Sequence, residues 1–157
     1  MRAVVATILA TTAATLATSG AHAQATTGTA GRIAGFTITG DAIKAPLDGL
    51  RGDAARGRTL AFDPERGNCT ICHPVPGGDA RVQGTVGPPL AGVATRLDEG
   101  QIRMRLVDGT KLNPETIMPP YHRIEGLSRV GREFAGKPIL DAQQIEDIVA
   151  FLATLRQ

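Results

Sequence analysis

Apolar positions recur at helical spacing most clearly near the carboxyl end of the chain. Between Asp141 and Arg156, the residues Ile145, Ile148, Val149, Leu152 and Leu155 share one face, with polar residues between them. Asp141 can cap the first turn, Gln144 can close a capping box, and Leu140 with Ile145 has the spacing of a hydrophobic staple. Glu146 and Asp147 near the start, and Arg156 near the end, agree with the helix dipole. The pattern predicts a helix over 141–156. A second helix is predicted over 98–107. There Asp98 pairs with Gln101, Leu97 with Ile102, and Ile102 with Leu106 on one face, and Gly109 is the stop. Another is predicted over 53–62, capped by Asp53 and ended by Pro64. Gly57 falls inside it, which costs about 1 kcal/mol relative to Ala unless another element packs closely there.

Glycine and proline break the pattern elsewhere. Residues 74–90 carry Pro74, Pro76, Gly77, Gly78, Gly84 and Gly87-Pro88-Pro89, and residues 110–137 carry Pro114, Pro119, Pro120, Gly126, Gly131 and Gly136. Both stretches read as loop. Residues 24–52 show no helical period, although Phe36-Thr37-Ile38 could form a short extended piece. That segment reads either as a flexible arm or as an arm that packs on a partner subunit. The elements together predict an all-α domain over 53–157, preceded by an irregular arm over 24–52.

The start of the chain has a different character. Met1-Arg2 carries one positive charge, an uncharged Ala/Thr-rich run follows, and Ala21-His22-Ala23 is a small-x-small cleavage site. Residues 1–23 read as a signal peptide cleaved after Ala23, which places the mature chain in the periplasm. The apolar run is too short for a permanent membrane anchor. A net charge of +2 on 157 residues does not indicate nucleic acid or an anionic membrane as partner. Four Phe, one Tyr and no Trp leave little bulky core, so a large buried apolar group would supplement it.

Candidate chemistry is concentrated in Cys69-Thr70-Ile71-Cys72-His73. Two thiols at this spacing can add across the two vinyl groups of a haem, and the adjacent imidazole can ligate the iron. A zinc knuckle needs about four ligands, and the chain has only two cysteines. A redox dithiol belongs after a strand in a βαβ unit, and no such unit is predicted. Thus Cys69 and Cys72 are read as attachment sites for one covalent haem c, and His73 as an axial iron ligand. The Pro88 carbonyl is the candidate partner for the second ring nitrogen of His73.

The sixth iron position has three candidate states. Met118 lies in a proline-rich loop whose prolines can fix its backbone, and a thioether there would raise the potential. His122, otherwise a surface or propionate-contacting residue, is the second candidate, and an open site the third. Met104 falls within the predicted helix over 98–107 and is read as a packing residue.

A first helix, a Cys-x-x-Cys-His motif, a Gly-Pro loop, a Met-Pro loop and a terminal amphipathic helix together resemble a class I monohaem cytochrome c. Three stretches are more specific: Phe62–Asn68 before the motif, Asn113–Arg123 around Met118, and Phe134–Leu140 before the last helix. In these the chain resembles the SoxX subunits of the bacterial sulfur-oxidising (Sox) system. The resemblance implies helices packed around one covalent haem, with His73 and Met118 as axial ligands. It also implies a SoxA-type haem subunit as partner, a SoxYZ-type carrier met through the complex, and a soluble cytochrome c as electron acceptor. In such a complex, an L-cysteine S-thiosulfotransferase, the sulfur chemistry sits on the partner, so no catalytic residue is expected in this chain. That agrees with the absence of a third cysteine. The other reading is a free-standing cytochrome c shuttle, which needs the same haem and the same ligands.

Overall fold

The computed structural model describes residues 32–157, so the expected signal peptide lies outside the described residues. Among these residues the chain forms four α-helices: α1 (Ala54–Phe62), α2 (Val93–Arg96), α3 (Glu99–Asp108) and α4 (Ala142–Leu152). Single 3-10 turns at Leu47–Gly49, Cys69–Ile71, Gly109–Lys111 and Arg132–Phe134 punctuate the loops. The only β pairing among the described residues is an isolated bridge between Thr39 and Ala42. Phe36-Thr37-Ile38 is unpaired. The all-α expectation holds.

The helix starts follow the sequence signals closely. Asp53 caps α1 by accepting the Arg56 N–H at 2.9 Å. Both predicted capping boxes form, Asp98 with Gln101 on α3 and Asp141 with Gln144 on α4. The ends follow tertiary partners instead. Helix α4 stops at Leu152, four residues short of the predicted end. The remaining chain turns away, so that Leu155 O accepts from Ala94 N at 3.0 Å and Gln157 O from Gly92 N at 2.8 Å. This contact seats α2, a helix too short to show a period of its own. Gly109 does end α3, but in right-handed geometry that runs straight into a 3-10 turn.

Helix α1 crosses α4 at Gly57. A Cβ at that position would collide with the backbone carbonyl of Asp147. The missing side chain is therefore what lets the two backbones meet, and it accounts for a glycine inside a helix. The contact is fastened by Asp147, whose carboxylate accepts from Arg56 Nε and Nη2, both at 2.7 Å, and from the Asp53 N–H at 2.8 Å. Gln143 Nε2 adds a further bond at 2.9 Å. Burial works to raise the Asp147 pKa, but these donors hold it below the ordinary carboxylate value.

Glu146, one residue earlier, faces a different partner. It forms a two-pronged ion pair with Arg103 of α3 at 2.7 and 2.8 Å, and both side chains are buried. Arg103 also donates to Ile43 O at 2.8 Å, and Glu146 accepts from Leu47 N–H at 2.9 Å. The place of Glu146 and Asp147 near the start of α4 agrees with the helix dipole, as expected. Both are turned inward, where each would leave an uncompensated buried charge without its arginine.

These bonds also hold the amino-terminal segment. From residue 32 onward it packs on its own chain, with Ala34, Ala42, Ile43 and Leu47 all buried. Arg32, the first described residue, pairs with Asp48. The described part of the segment, from Ala34 to Leu47, forms a layer over α3 and α4.

Gly57→Ala forces a methyl group into the α4 backbone and should destabilise the haem-loaded protein by about 1–3 kcal/mol. Gly35→Ala, where nothing lies within 4 Å, should stay within about 0.5 kcal/mol of wild type. Denaturant melts of the two variants compare them directly.

Because the folded-state pKa of Asp147 is lowered, its stabilisation is present above the ordinary value of 3.8 and is lost as pH falls below it. Asp147→Asn should therefore be less stable at neutral pH and show a shallower loss between about pH 4 and 2. A parallel loss in both proteins over that window would show that Asp147 is not the responsible group.

Candidate haem-binding site

The segment after α1 winds through one tight coil before the motif. Gly67 N–H donates to Leu60 O at 3.2 Å, Asn68 N–H to Asp63 O at 2.9 Å, and Asn68 itself is left-handed with φ of 44°. Cys69–Ile71 then makes a 3-10 turn, and the His73 N–H reaches Cys69 O at 2.9 Å. This single coil brings Cys69, Cys72 and His73 to one wall of a cleft of about 860 Å³. The two cysteines do not pair in a disulfide. Burial, with Cys72 nearby, pushes the Cys69 thiol up to about 11. The site therefore favours an uncharged sulfur, as a thioether is.

The loop over 84–90 is laced onto the motif by backbone bonds. Gly84 N–H donates to Thr70 O at 2.8 Å, Gly87 N–H to Cys72 O at 2.8 Å, and Leu90 N–H to Pro74 O at 2.9 Å. This places the Pro88 carbonyl 2.7 Å from His73 Nδ1. A carbonyl can only accept, so the ring proton sits on Nδ1 and Nε2 keeps its lone pair. Pro88 thus has the orienting role expected of it. Gly87 has a part that the sequence reading missed. A Cβ there would sit against the His73 ring, so only glycine lets the loop lie flat on the imidazole. Its place before Pro88-Pro89 was the available signal.

Met118 lines the same cleft from the other long loop, partly buried against the core. Its N–H is held by Thr116 Oγ1 at 3.2 Å. Beyond Pro119 and Pro120, the Tyr121 hydroxyl donates to Gly67 O at 2.8 Å, joining the Met118 loop to the coil before the motif. Burial, and more weakly Cys69 and Cys72, raise the Tyr121 phenol well above its usual range, so it remains a neutral donor. Met104 is fully buried in the core, as its packing role requires.

His122 departs from expectation. It is neither at the surface nor at the cleft, being 1% exposed. Nδ1 lies 2.8 Å from Leu140 O, and Nε2 accepts the Ala34 N–H at 3.0 Å. With both ring nitrogens occupied, it has none left for a metal. The sulfur of Met118 and the Nε2 of His73 are thus the soft and borderline donors available in the cleft.

The rest of the lining suits a large apolar ligand with acidic groups. Leu90, Val93, Ile102, Leu106, Ile139 and Leu152 supply its apolar surface, and Arg66, Arg96 and Arg105 outnumber Glu65. The volume falls in the upper part of the roughly 300–1,000 Å³ range typical of ligand sites. Two thiols, an oriented imidazole, a thioether and guanidinium groups fit a covalently held haem with its propionates. No helix among the described residues is long and apolar enough to cross a membrane.

The cytochrome c family model matches residues 54–156. Among solved structures the chain is similar to the crystal structure of SoxXA from P. pantotrophus, with 35% sequence identity and a TM-score of 0.71. That similarity covers 78% of this chain and 95% of the other. No curated protein matches the chain at a significant level. With the donor set gathered in one cleft, these matches show that the chain belongs to the cytochrome c family, as a SoxX-type electron-transfer cytochrome with covalently bound haem c.

Proposed function

We propose that this chain is the electron-transfer subunit of a periplasmic complex that conjugates thiosulfate oxidatively to a carrier-protein cysteine. The observation that carries this reading is the convergence of Cys69, Cys72, His73 and Met118 on one cleft in a SoxX-type fold. Cys69 and Cys72 hold one haem c per chain as thioethers. His73 would hold the iron through Nε2, and Met118 through its sulfur. When bound, the haem supplies reversible one-electron chemistry at its iron.

The chain's own groups determine what that chemistry can be. Pro88 fixes the His73 tautomer, and Gly87, having no side chain, leaves the imidazole room against the loop. Met118 closes the remaining iron position, which favours outer-sphere electron transfer over binding of small molecules. The thioether also raises the potential relative to a water or nitrogen ligand. Apolar lining around the cleft limits solvent reorganisation as charge changes.

Forming the S–S bond between thiosulfate and a carrier thiol releases two electrons. This chain has no cysteine beyond the two thioether positions, so the reacting sulfur belongs on a partner. The partner is a SoxA-type haem subunit, and the carrier is of SoxYZ type. Electrons leave this chain one at a time for a soluble cytochrome c. Export with cleavage after Ala23 places the mature chain where covalent haem is installed.

Native mass and haem content of the protein from the periplasm of thiosulfate-grown cells test this assignment. A one-to-one complex with a second haem protein is expected. A lone monomer carrying one haem would instead make the chain a free-standing shuttle.

Met118→Ala should abolish the sulfur-to-iron charge-transfer band of the oxidised protein and lower its reduction potential. An unchanged band would remove Met118 from the iron.

A further inference from the structure

We propose that His122 is a positioning residue for Met118, coupling the hold of the Met118 loop on iron to the docking of the amino-terminal segment at Ala34. This rests on Met118 being an axial ligand, as proposed above.

The connection is short and has little slack. Only Pro119 and Pro120 separate Met118 from Tyr121-His122. Each proline has a fixed φ and no N–H, so the pair acts as a stiff spacer. Beyond it, the chain is tied in several directions at once. Tyr121 N–H donates to Leu106 O at 3.1 Å, and His122 N–H to Val107 O at 3.3 Å, both at the end of α3. Leu140 N–H donates to Tyr121 O at 3.0 Å, just before α4 begins. The His122 ring completes this anchor. Nδ1–H donates to Leu140 O at 2.8 Å, while Nε2 accepts from Ala34 N–H at 3.0 Å.

An imidazole suits this place because it is rigid and offers a donor and an acceptor on different edges. Both of its partners are backbone groups shielded from water. Ala34 and His122 are each 1% exposed, and Leu140 is fully buried. Losing the ring would leave a buried N–H and a buried carbonyl without their partners, which the local structure can relieve only by opening. Opening displaces Tyr121-His122, and the proline pair transmits the displacement to Met118. Release of the amino-terminal segment removes the Ala34 donor and has the same effect from the other side. The state of the segment is thereby read out at the iron.

The test uses the haem-loaded full-length mature protein with two variants. His122→Phe keeps the ring volume but removes both polar edges. Ala34→Pro keeps His122 and the full chain but removes the Ala34 N–H. Cyanide binding to the oxidised protein requires Met118 to leave the iron, so its rate reports loop opening. The Ala34 variant should bind cyanide about tenfold faster than wild type, the change that loss of one buried hydrogen bond makes in a local opening equilibrium, and His122→Phe, which loses two such bonds, more than about tenfold faster. Their combination should be less than additive, because they share one contact. His122→Gln, which keeps an acceptor, should recover part of the wild-type rate, and it serves as the readout if His122→Phe does not fold.

Wild-type cyanide rates in folded variants would overturn the proposal, since a purely structural role lowers the melting point without opening the iron. Failure of the ligand assignment is distinguishable. It appears as a wild-type charge-transfer band that Met118→Ala leaves intact, before any His122 variant is measured.

Discussion

The contact on which the rest of the molecule depends is the crossing of α1 and α4 at Gly57, where no side chain separates the two backbones. Close approach makes the interface intolerant of change, and Asp147 fixes its angle by holding Arg56 and the first amide before α1. Because α1 is fixed, so is its carboxyl end. The coil that follows is therefore delivered to one place, with Gly67 bonded back to Leu60 and Cys69 at the mouth of the next turn. The position of the two thiols is thus set by a helix crossing that contains no ligand at all. One residue away on α4, Glu146 locks α3 and the amino-terminal segment through Arg103. Adjacent carboxylates on one helix hold opposite sides of the domain.

Local features of this design were legible in the sequence because their causes are local. Capping boxes span four residues, the haem motif spans five, and Gly57 inside a helix already pointed to a close crossing. Pro88 was legible for a different reason: a ligating histidine needs an acceptor, and a Gly-Pro loop just downstream is the nearest supplier. What could not be read were pairings across long separations. Arg103 and Glu146 are 43 residues apart, Arg56 and Asp147 are 91 apart, and Ala34 and His122 are 88 apart. Nothing in a stretch of surface-like polar residues says that it will be turned inward. The packing of the amino-terminal segment on α3 and α4 was hidden for the same reason. Its apolar residues have no period, since they fill sites on α3 and α4 in place of forming a face of their own. The end of α4 likewise answers to Gly92 and Ala94, not to its own propensity.

The two sides of the cleft are held by different means, and the difference bears on function. His73 is supported by the loop immediately after it, through Pro88, Gly87 and three backbone bonds within about twenty residues of chain. That support forms with the motif itself and needs no distant element. Met118 has little local support beyond Thr116. Its loop is secured through Tyr121 and His122 to α3, to the start of α4, to Gly67 and to the amino-terminal segment. A ligand held locally stays bound through fluctuations that loosen the domain, whereas a ligand held by four separate elements is released when any of them shifts. Under the proposed ligation, the histidine would be held firmly and the thioether conditionally. Under that ligation, the Met118 side is the one through which a change in packing elsewhere would reach the reduction potential.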